Sequence, residues 1–315
     1  MTIPLSGTQF ELSFGDYTAT VASVGATLRA LAYAGRDLIV PFDANEVRPG
    51  FRGAILAPWP NRIVDGLYTI DGVTQQLSIT EPERGHALHG LAAWLDFIAL
   101  EEPSDESSEE SPARLVLATT IEPQVGYPYR LQLRVEYTLD ADGLRTTMMA
   151  RNIGPDAAPY GTGPHPYLIA GEGGVDEWTL TLPAERVLTV TDERLIPIGL
   201  ADVATEGDGA LDFRTPRVVG GTMIDHAFTG LTRDEDGTAE VRLTAPSGTG
   251  VAMSWSTGCK WVQLYTADSS DPSVNRQSLA VEPMTCPPDA FNSGTDLIML
   301  KPGQLASVGW TIAAI

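Results

Sequence analysis

The amino-acid sequence predicts an all-β protein, a large antiparallel β-sandwich, on two observations. First, apolar and polar residues alternate with a period of two at many places, most clearly over residues 131–139, where Leu, Leu, Val, Tyr and Leu share one face. Second, no amphipathic pattern of helical period persists long enough to alternate with such strands, which disfavours a parallel α/β sheet. The 31 glycines and 23 prolines fit a chain of short elements and many turns.

Further β-prone runs follow the same pattern and are separated by turn residues. Residues 140–143, Asp-Ala-Asp-Gly, and residues 246–250, Pro-Ser-Gly-Thr-Gly, each connect two runs and are predicted to be hairpin loops. In addition to residues 131–139, we predict strands over residues 17–24, 115–121, 144–151, 178–182, 241–245, 251–255, 261–266 and 306–312.

Residues 101–112 form an acidic, polar segment nearly free of apolar side chains, and we predict a solvated loop there without an assigned function. A chain of 315 residues has room for one large all-β domain or two smaller ones, and length alone does not decide. Alternating strands resume directly after the segment, and the candidate site residues lie on both sides of it. We therefore expect a single domain over residues 1–315 with one long excursion.

The chain carries 20 Lys and Arg against 41 Asp and Glu, a formal net charge of −21. Binding to nucleic acid or to an anionic membrane depends on basic side chains that neutralise phosphate, so both kinds of partner are disfavoured. The same charge argues weakly against a highly anionic substrate and is explained by solubility. Residues 1–10 contain neither the basic nor the apolar region of a signal peptide, and no stretch of about 18 apolar residues occurs, so we expect a cytoplasmic protein.

The chain has two cysteines, Cys259 and Cys286. They have neither the number nor the spacing of a disulfide framework or a zinc site. We expect both to be buried thiols, and the sequence leaves a single bridge between them open.

Glu282 and His165 are the two residues most indicative of chemistry. Glu282 follows the apolar run 279–281 and precedes Pro283, so an acid stands where a strand meets a proline-locked turn. His165 lies between Pro164 and Pro166, whose fixed φ restricts how the imidazole is presented and removes competing backbone donors. A carboxylate and an imidazole are the commonest pair for moving protons to and from a substrate. The pattern therefore predicts an acid/base enzyme, with Glu282 as general base and His165 as its acid partner.

Three further segments supply polar groups suited to binding hydroxyls. Arg62 follows two prolines and offers several fixed donors, with a surface ion pair as the alternative. Asp225 can accept two hydrogen bonds from adjacent hydroxyls, with an Asx-type turn as the alternative. For His86 and His89 three interpretations stay open: hydrogen bonding to a substrate, which is favoured, a structural histidine, or a metal site. A metal site needs more ligands than these two histidines provide.

Taken together, these segments resemble the aldose 1-epimerase (mutarotase) family over residues 53–292. The resemblance rests on an Asn-Arg pair, a Leu-His-Gly element, a central histidine motif, an aspartate and a late glutamate, all in family order. It implies a galactose mutarotase-like β-sandwich, with Glu282 as general base and His165 as general acid. Hydroxyl-binding roles are implied for Arg62, His89 and Asp225. The implied substrate is a small-molecule aldose, and no metal, nucleotide or redox cofactor is expected.

One departure from the family pattern concerns the central histidine. Many galactose- and glucose-converting members have Asn-His-Ser-Tyr-Phe there, whereas residues 163–168 are Gly-Pro-His-Pro-Tyr-Leu. The acid role therefore transfers more safely than the sugar specificity, and the combination resembles a less characterised bacterial branch of the family. A modified or unusual aldose is compatible with it. The sequence leaves the sugar, the pathway and the choice between monomer and homodimer open.

Other functions compete with this interpretation. A carbohydrate-binding protein without catalysis would use the same Arg, His and Asp, but it has no need of an acid/base couple. A glycosidase or lyase on a related sandwich would usually carry two carboxylates. A phosphosugar epimerase is disfavoured because the recognised segments provide only Arg62 as an obvious anion partner. Three aromatic residues are candidates for stacking on a sugar, although a position in the core is the favoured interpretation. They are Trp59, Trp94 and Tyr167.

Overall fold

The protein is described by a computed structural model that covers residues 3–103 and 111–315. The predicted acidic loop at residues 101–112 lies mostly outside the described residues. Within them the chain forms twenty-seven strands, one short α-helix and five 3₁₀ turns. The turns are Pro49–Phe51, Val64–Gly66, Ala92–Trp94, Val175–Glu177 and Glu206–Gly209, and the helix is α1 (Ala290–Ser293). The strands are β1 (Gln9–Phe14), β2 (Tyr17–Ala22), β3 (Thr27–Tyr33), β4 (Arg36–Asp37), β5 (Ile55–Leu56), β6 (Arg62–Ile63), β7 (Leu67–Ile70), β8 (Val73–Gln76), β9 (Ala87–Leu88), β10 (Ile98–Glu101), β11 (Ala113–Ile121), β12 (Leu131–Asp140), β13 (Gly143–Asn152), β14 (Ala158–Tyr160), β15 (Gly163–Pro164), β16 (Tyr167–Leu168), β17 (Thr179–Thr181), β18 (Ala184–Val190), β19 (Pro197–Asp202), β20 (Arg217–Val218), β21 (Asp225–Leu231), β22 (Ala239–Thr244), β23 (Gly250–Trp255), β24 (Trp261–Tyr265), β25 (Leu279–Met284), β26 (Ile298–Leu300) and β27 (Leu305–Ala314).

The predicted all-β class is confirmed, and each of the nine predicted runs contains a strand. Both predicted hairpin loops are also confirmed, because Asp140 pairs with Gly143 between β12 and β13 and Thr244 pairs with Gly250 between β22 and β23. The sequence did not reveal the two-residue strands, such as β6 and β9, since two residues are too few to show a period.

Three larger antiparallel sheets account for most strands of the described residues. The largest has the order β10-β11-β12-β13-β27-β23-β22-β17-β20, the second β16-β25-β24-β21-β18-β19, and the third β1-β2-β3-β4. Buried apolar residues from all three belong to one contiguous cluster, to which Phe10, Val135 and Val262 each contribute from a different sheet. Because the sheets share this core, the architecture is the large antiparallel sandwich that the alternation predicted.

The six-stranded sheet that contains β24 positions the polar residues of interest. Gln263 on β24 lies opposite Glu282 on β25, and Tyr265 lies opposite Asp225 on β21. Since side chains two residues apart in a strand point to the same face, these four side chains share one face of the sheet. Asp225 thus begins a strand and does not form the alternative Asx-type turn.

Both cysteines are buried thiols, as predicted, and neither forms a disulfide within the part of the chain that is described. Burial raises the pKa of each thiol to about 12. No helix in residues 3–103 and 111–315 has the length and apolar character needed to span a membrane.

Candidate active site

A cavity of about 300 Å³ opens on the polar face of the six-stranded sheet. All five residues for which the family resemblance implies a role line it, although they are spread over more than two hundred positions of the chain. The lining residues are Gly50, Phe51, Asn61, Arg62, Arg84, Leu88, His89, His165, Tyr167, Asp225, Gln263, Tyr265 and Glu282.

Glu282 and His165 lie side by side at the bottom of this cavity. His165 Nε2 is 3.4 Å from Glu282 Oε1, and the two side chains are only 6% and 2% exposed. The remaining polar atoms of the pair, His165 Nδ1 and Glu282 Oε2, are buried and have no hydrogen-bond partner within the described residues. Buried polar groups are normally paired, so such unpaired atoms are typical of a site that completes its hydrogen bonds with a ligand.

Burial acts in opposite directions on the two pKa values. Together with the positive charges of Arg48 and Arg62, it lowers the pKa of His165 to about 3. It raises the pKa of Glu282 well above its usual range, with Asp225 adding to the rise and Arg62 opposing it. Both shifts follow from the penalty on a buried charge. Burial therefore favours the neutral pair, with the proton on Glu282.

His165 is held by backbone contacts on both sides of its position. Its N–H donates to the carbonyl of Ala54 at 3.0 Å, and its carbonyl accepts from the N–H of Gly53 at 2.8 Å. Its ring stacks on Tyr167 with centroids 5.0 Å apart, and Phe51 is a more distant stacked neighbour at 6.5 Å. His165 is therefore held in place by hydrogen bonds and ring packing as well as by the prolines on either side.

His89 has one defined tautomer because of its neighbour Asn61. The backbone N–H of Asn61 donates to His89 Nδ1 at 3.2 Å, and the N–H of His89 donates back to the carbonyl of Asn61 at 2.8 Å. Both residues have positive φ, 54° for Asn61 and 62° for His89. Burial and the charges of His165 and Arg62 lower the pKa of His89 well below its usual range. The ring is therefore neutral, Nδ1 is an acceptor, and Nε2 carries the proton.

Arg62 and Asp225 are each oriented by a residue that the sequence analysis did not identify. Arg62 donates from Nε and Nη2 to the two oxygens of Glu81 at 2.8 and 3.0 Å, and its Nη2 lies 3.9 Å from Asp225 Oδ2. Asp225 Oδ1 accepts from Gln263 Nε2 at 2.6 Å. Gln263 Oε1 is buried without a partner among the described residues, so it is a further acceptor for a ligand in the cavity.

Gln263 carried a usable signal, because it is an amide inside the predicted apolar strand 261–266. Of the three aromatic candidates, Tyr167 lines the cavity, and its hydroxyl donates to the carbonyl of Gly50 at 3.0 Å. Trp59 is a core residue, as favoured, and packs edge-on against Phe291. Trp94 is half exposed and is absent from the described cavity lining.

His86 is a structural histidine. It is completely buried, its Nδ1 accepts from the N–H of Asp65 at 3.2 Å, and its Nε2 lies 2.8 Å from the carbonyl of Arg194. These two contacts use both ring nitrogens, so the structure separates His86 from His89, which the sequence alone did not.

His89, His165 and Glu282 also form a group that has the composition of a metal site, with one potential ligand atom of each within 4.8 Å of the others. A metal ion needs an unprotonated nitrogen with a free lone pair. The lone pair of His89 Nδ1 is engaged by Asn61, and Nε2 carries the proton. The donor set therefore fits a metal poorly unless the contact with Asn61 is broken.

A larger cavity of about 510 Å³ lies elsewhere on the molecule, between β19 and the segment 287–295. Its lining in the described part of the chain is mostly apolar, and Asp289 is its single titratable residue. Because it lacks an acid/base couple, the smaller cavity around Glu282 and His165 is the better candidate despite its size.

Solved structures with the same fold are similar to this protein over nearly its whole chain. The crystal structure of the aldose epimerase homologue from C. elegans superimposes with a TM-score of 0.81 at 20% identity, covering 98% of this chain and 99% of that one. The structure of galactose 1-epimerase from Lactobacillus acidophilus gives a TM-score of 0.78 at 19% identity, covering 96% and 93%. Identities this low establish the galactose mutarotase-like fold and nothing finer.

Sequence relatives lead to the family. The protein YihR of Escherichia coli K12 is 39% identical over 300 residues, which are 95% of this chain and 91% of that protein. Galactose mutarotase of Bos taurus is 27% identical, covering 94% of this chain and 90% of the mutarotase. The family model described as aldose 1-epimerase matches residues 8–311. The chain therefore belongs to the aldose 1-epimerase family.

Proposed function

We propose that this protein is a mutarotase, an isomerase that interconverts the α and β anomers of an aldose by opening and closing the sugar ring. In this proposal Glu282 is the general base, His165 is the general acid, and Arg62, His89 and Asp225 bind sugar hydroxyls. The cavity of about 300 Å³ is at the small end of ligand sites and suits a single sugar.

The observation that carries the proposal is the 3.4 Å separation between His165 Nε2 and Glu282 Oε1. Ring opening of an aldose needs a base at the anomeric hydroxyl and an acid at the ring oxygen, and both oxygens are bonded to the same carbon. The two groups must therefore lie close together and face the same point. Glycosidase carboxylates, in contrast, are about 5–9.5 Å apart.

Ring opening transfers one proton in each direction. Glu282 takes the proton of the anomeric hydroxyl, the electron pair of that O–H bond forms the aldehyde C=O, and the bond from C1 to the ring oxygen breaks. His165 gives its proton to the ring oxygen. Rotation about C1–C2 then presents the other face of the carbonyl, and closure with both transfers reversed yields the opposite anomer.

The pKa directions bear on the two states of the proposed reaction, and in the free protein they favour the state with the proton on Glu282. Before ring opening Glu282 is ionised and His165 is protonated; afterwards Glu282 is protonated and His165 is neutral. Burial favours the second state, since it raises the pKa of Glu282 and lowers that of His165. The neutral pair thus accompanies the less stable open-chain aldehyde. With the roles exchanged, the buried ion pair and the aldehyde would have to coexist.

The same relation predicts a bell-shaped pH dependence of kcat/KM. The active form is the pair with one proton, whichever group holds it in the free enzyme. At low pH the pair gains a second proton, and at high pH it loses its only one, so both limbs belong to the pair and not to a single residue. A profile with no fall in rate toward pH 3 and none at high pH would contradict the pairing of these groups.

A carbohydrate-binding protein without catalysis is the second candidate, because Arg62, His89 and Asp225 would hold a sugar equally well in a binder. NMR exchange spectroscopy of anomer interconversion, over a panel of free and modified aldoses, separates the two. We expect the wild-type protein to accelerate interconversion of at least one sugar, and Glu282→Gln and His165→Ala to lose about a hundred- to ten-thousand-fold in rate.

The matched control is Glu83→Gln, which makes the same change of charge at an exposed residue outside the cavity lining. It should retain the wild-type rate. Sugar binding by the wild type, seen as ligand line broadening, without acceleration of any sugar would refute the mutarotase and establish the binder.

A further inference from the structure

Glu81 does not line the cavity, yet its carboxylate holds the guanidinium that does. We propose that Glu81 is a positioning residue, which aims Arg62 at the sugar and keeps the charge of Arg62 from acting fully on Glu282. This inference rests on the proposed function for its kinetic part only, since the charge effect is measurable without turnover.

The contact between Glu81 and Arg62 has the geometry of a paired, two-bond clamp. Nε of Arg62 lies 2.8 Å from Glu81 Oε2 and Nη2 lies 3.0 Å from Oε1. Both side chains are about nine-tenths buried, with exposures of 11% and 10%. Two parallel bonds fix the plane of the guanidinium as well as its position, which a single contact does not. Nη1 remains for the cavity, where Asn61 Oδ1 at 3.5 Å is a marginal partner.

Backbone contacts make the position of Glu81 rigid. Its N–H donates to the carbonyl of His86 at 3.0 Å, and its carbonyl accepts from the N–H groups of Gly85 and His86 at 2.8 and 3.2 Å. The backbone of Arg62 is held in turn by its pairing with Leu88 between β6 and β9. The clamp therefore joins two backbone segments that are each held in place, so its loss would free the Arg62 side chain without displacing either segment.

The second role of Glu81 is electrostatic. It also accepts from Arg84 Nη1 at 3.0 Å, so one carboxylate faces two guanidiniums at the cavity wall. Arg62 lowers the pKa of Glu282, and Asp225 raises it. Without Glu81, Arg62 is no longer compensated and is free to approach Asp225, now 3.9 Å away. Both changes lower the pKa of Glu282. The other titratable groups that line the cavity with Glu282 are His89, His165, Tyr167, Tyr265 and Arg84.

The test compares Glu81→Gln with the control Glu83→Gln. Glu83 lies two residues after Glu81 and is exposed, so the control removes the same charge from a side chain outside the clamp. For Glu81→Gln we expect kcat/KM to fall about 10- to 100-fold, mainly through KM, because a charged hydrogen-bond pair that orients a binding group is lost. Glu81→Asp keeps the charge but is too short for both bonds. It should lose affinity while leaving the pKa of Glu282 near the wild-type value.

The pKa of Glu282 is measured by carboxyl ¹³C NMR on protein labelled at glutamate, with Glu282→Gln identifying the signal. A lower pKa in Glu81→Gln, unchanged in Glu83→Gln, supports the electrostatic role even if no sugar is converted. If Glu81→Gln and Glu83→Gln have the same pKa of Glu282 and the same KM, and the wild type is an active mutarotase, the inference about Glu81 is overturned and the proposed function is retained. An inactive wild type would refute the proposed function instead. If Glu81→Gln fails to fold by circular dichroism, Glu81→Asp decides the positioning role through KM.

Discussion

The floor and the wall of the cavity differ in whether their buried polar groups have hydrogen-bond partners. The floor consists of His165 and the residues of β24 and β25, and three of its polar atoms, on His165, Gln263 and Glu282, are buried without a partner among the described residues. The wall consists of the turns around Arg62 and His89. There Arg62 makes two hydrogen bonds to Glu81, and His89 exchanges two with Asn61. Arg84 Nε is the exception in the wall, because it is buried without a partner among the described residues.

This difference indicates how the two regions divide the work. Unpaired buried groups destabilise a fold, so they persist where a ligand satisfies them or where their shifted pKa values are used. The floor is therefore suited to proton transfer. Paired groups are held in one orientation, so the wall is suited to recognising hydroxyls. The following predictions test this division, in order of decreasing effect.

If the floor residues act as one unit, the double variant Glu282→Gln/His165→Ala should be hardly slower than either single variant. Each single change is expected to lower kcat about a hundred- to ten-thousand-fold, since it already disables both proton transfers. The measurement is anomer exchange by NMR for the two single variants and the double one. Losses that multiply in the double variant would show that the two groups work independently.

For the wall, Arg62→Lys should reduce kcat/KM about 10- to 100-fold, with most of the loss in KM. Lys keeps the charge but cannot make two parallel bonds to Glu81 while still presenting a donor to the sugar. Steady-state kinetics on the best sugar provides the check. A loss confined to kcat would place Arg62 with the proton-transfer groups and break the proposed division.

The floor should also reduce stability at neutral pH, and Glu282→Gln should relieve this. A carboxyl group with a raised pKa imposes no penalty below its unfolded pKa of about 4.3, and the penalty grows as pH rises toward its folded pKa, by about 1.4 kcal/mol per pKa unit. The variant should therefore match the wild type near pH 4 and be more stable at pH 7–8.

Chemical denaturation over this pH range measures the difference in the free energy of unfolding. The lowered pKa of His165 has its own effect on the free energy of unfolding. The stability that depends on neutral His165 is fully present above about pH 6.5 and is lost as pH falls toward 3. A difference that shrinks with rising pH would contradict the sign of the Glu282 shift.

The smallest effect is expected at Asn61, whose positive φ of 54° allows the exchange of bonds with His89. Asn61→Ala and Asn61→Gly both remove the side chain, but Ala is strained in the left-handed region and Gly is not. After the entropy that Gly adds to the unfolded chain is allowed for, Ala should be less stable by about 0.5–1 kcal/mol. Thermal unfolding of the two variants tests this, and equal stability would argue against backbone strain at this position.

The fold was largely predictable because alternation with period two is a local property. In β12 the predicted inward side chains, Leu131, Leu133, Val135, Tyr137 and Leu139, are all buried. Short elements such as β6 and β9 were missed, although they carry Arg62 and precede His89, because their pairing depends on a partner more than twenty residues away.

The lining of the candidate cavity was predictable in five of its residues but not in its arrangement. Local context and the family resemblance singled out Glu282, His165, Arg62, His89 and Asp225, and the structure gathers all five around one cavity. Of the partners that orient them, Gln263 stands out only as an amide in an apolar strand, and nothing in the sequence around Glu81 points to Arg62. Their contacts arise from backbone register between strands and turns.

The sequence by itself determined the β class, the longer strands, their hairpins and the residue types needed for acid/base chemistry, because each depends on neighbours along the chain. Only the tertiary structure decided which histidine faces the cavity, which nitrogen of His89 carries the proton, and that His165 and Glu282 lie 3.4 Å apart. These properties depend on burial and on contacts between residues far apart in the chain. They are fixed only when the sheets close around their common core.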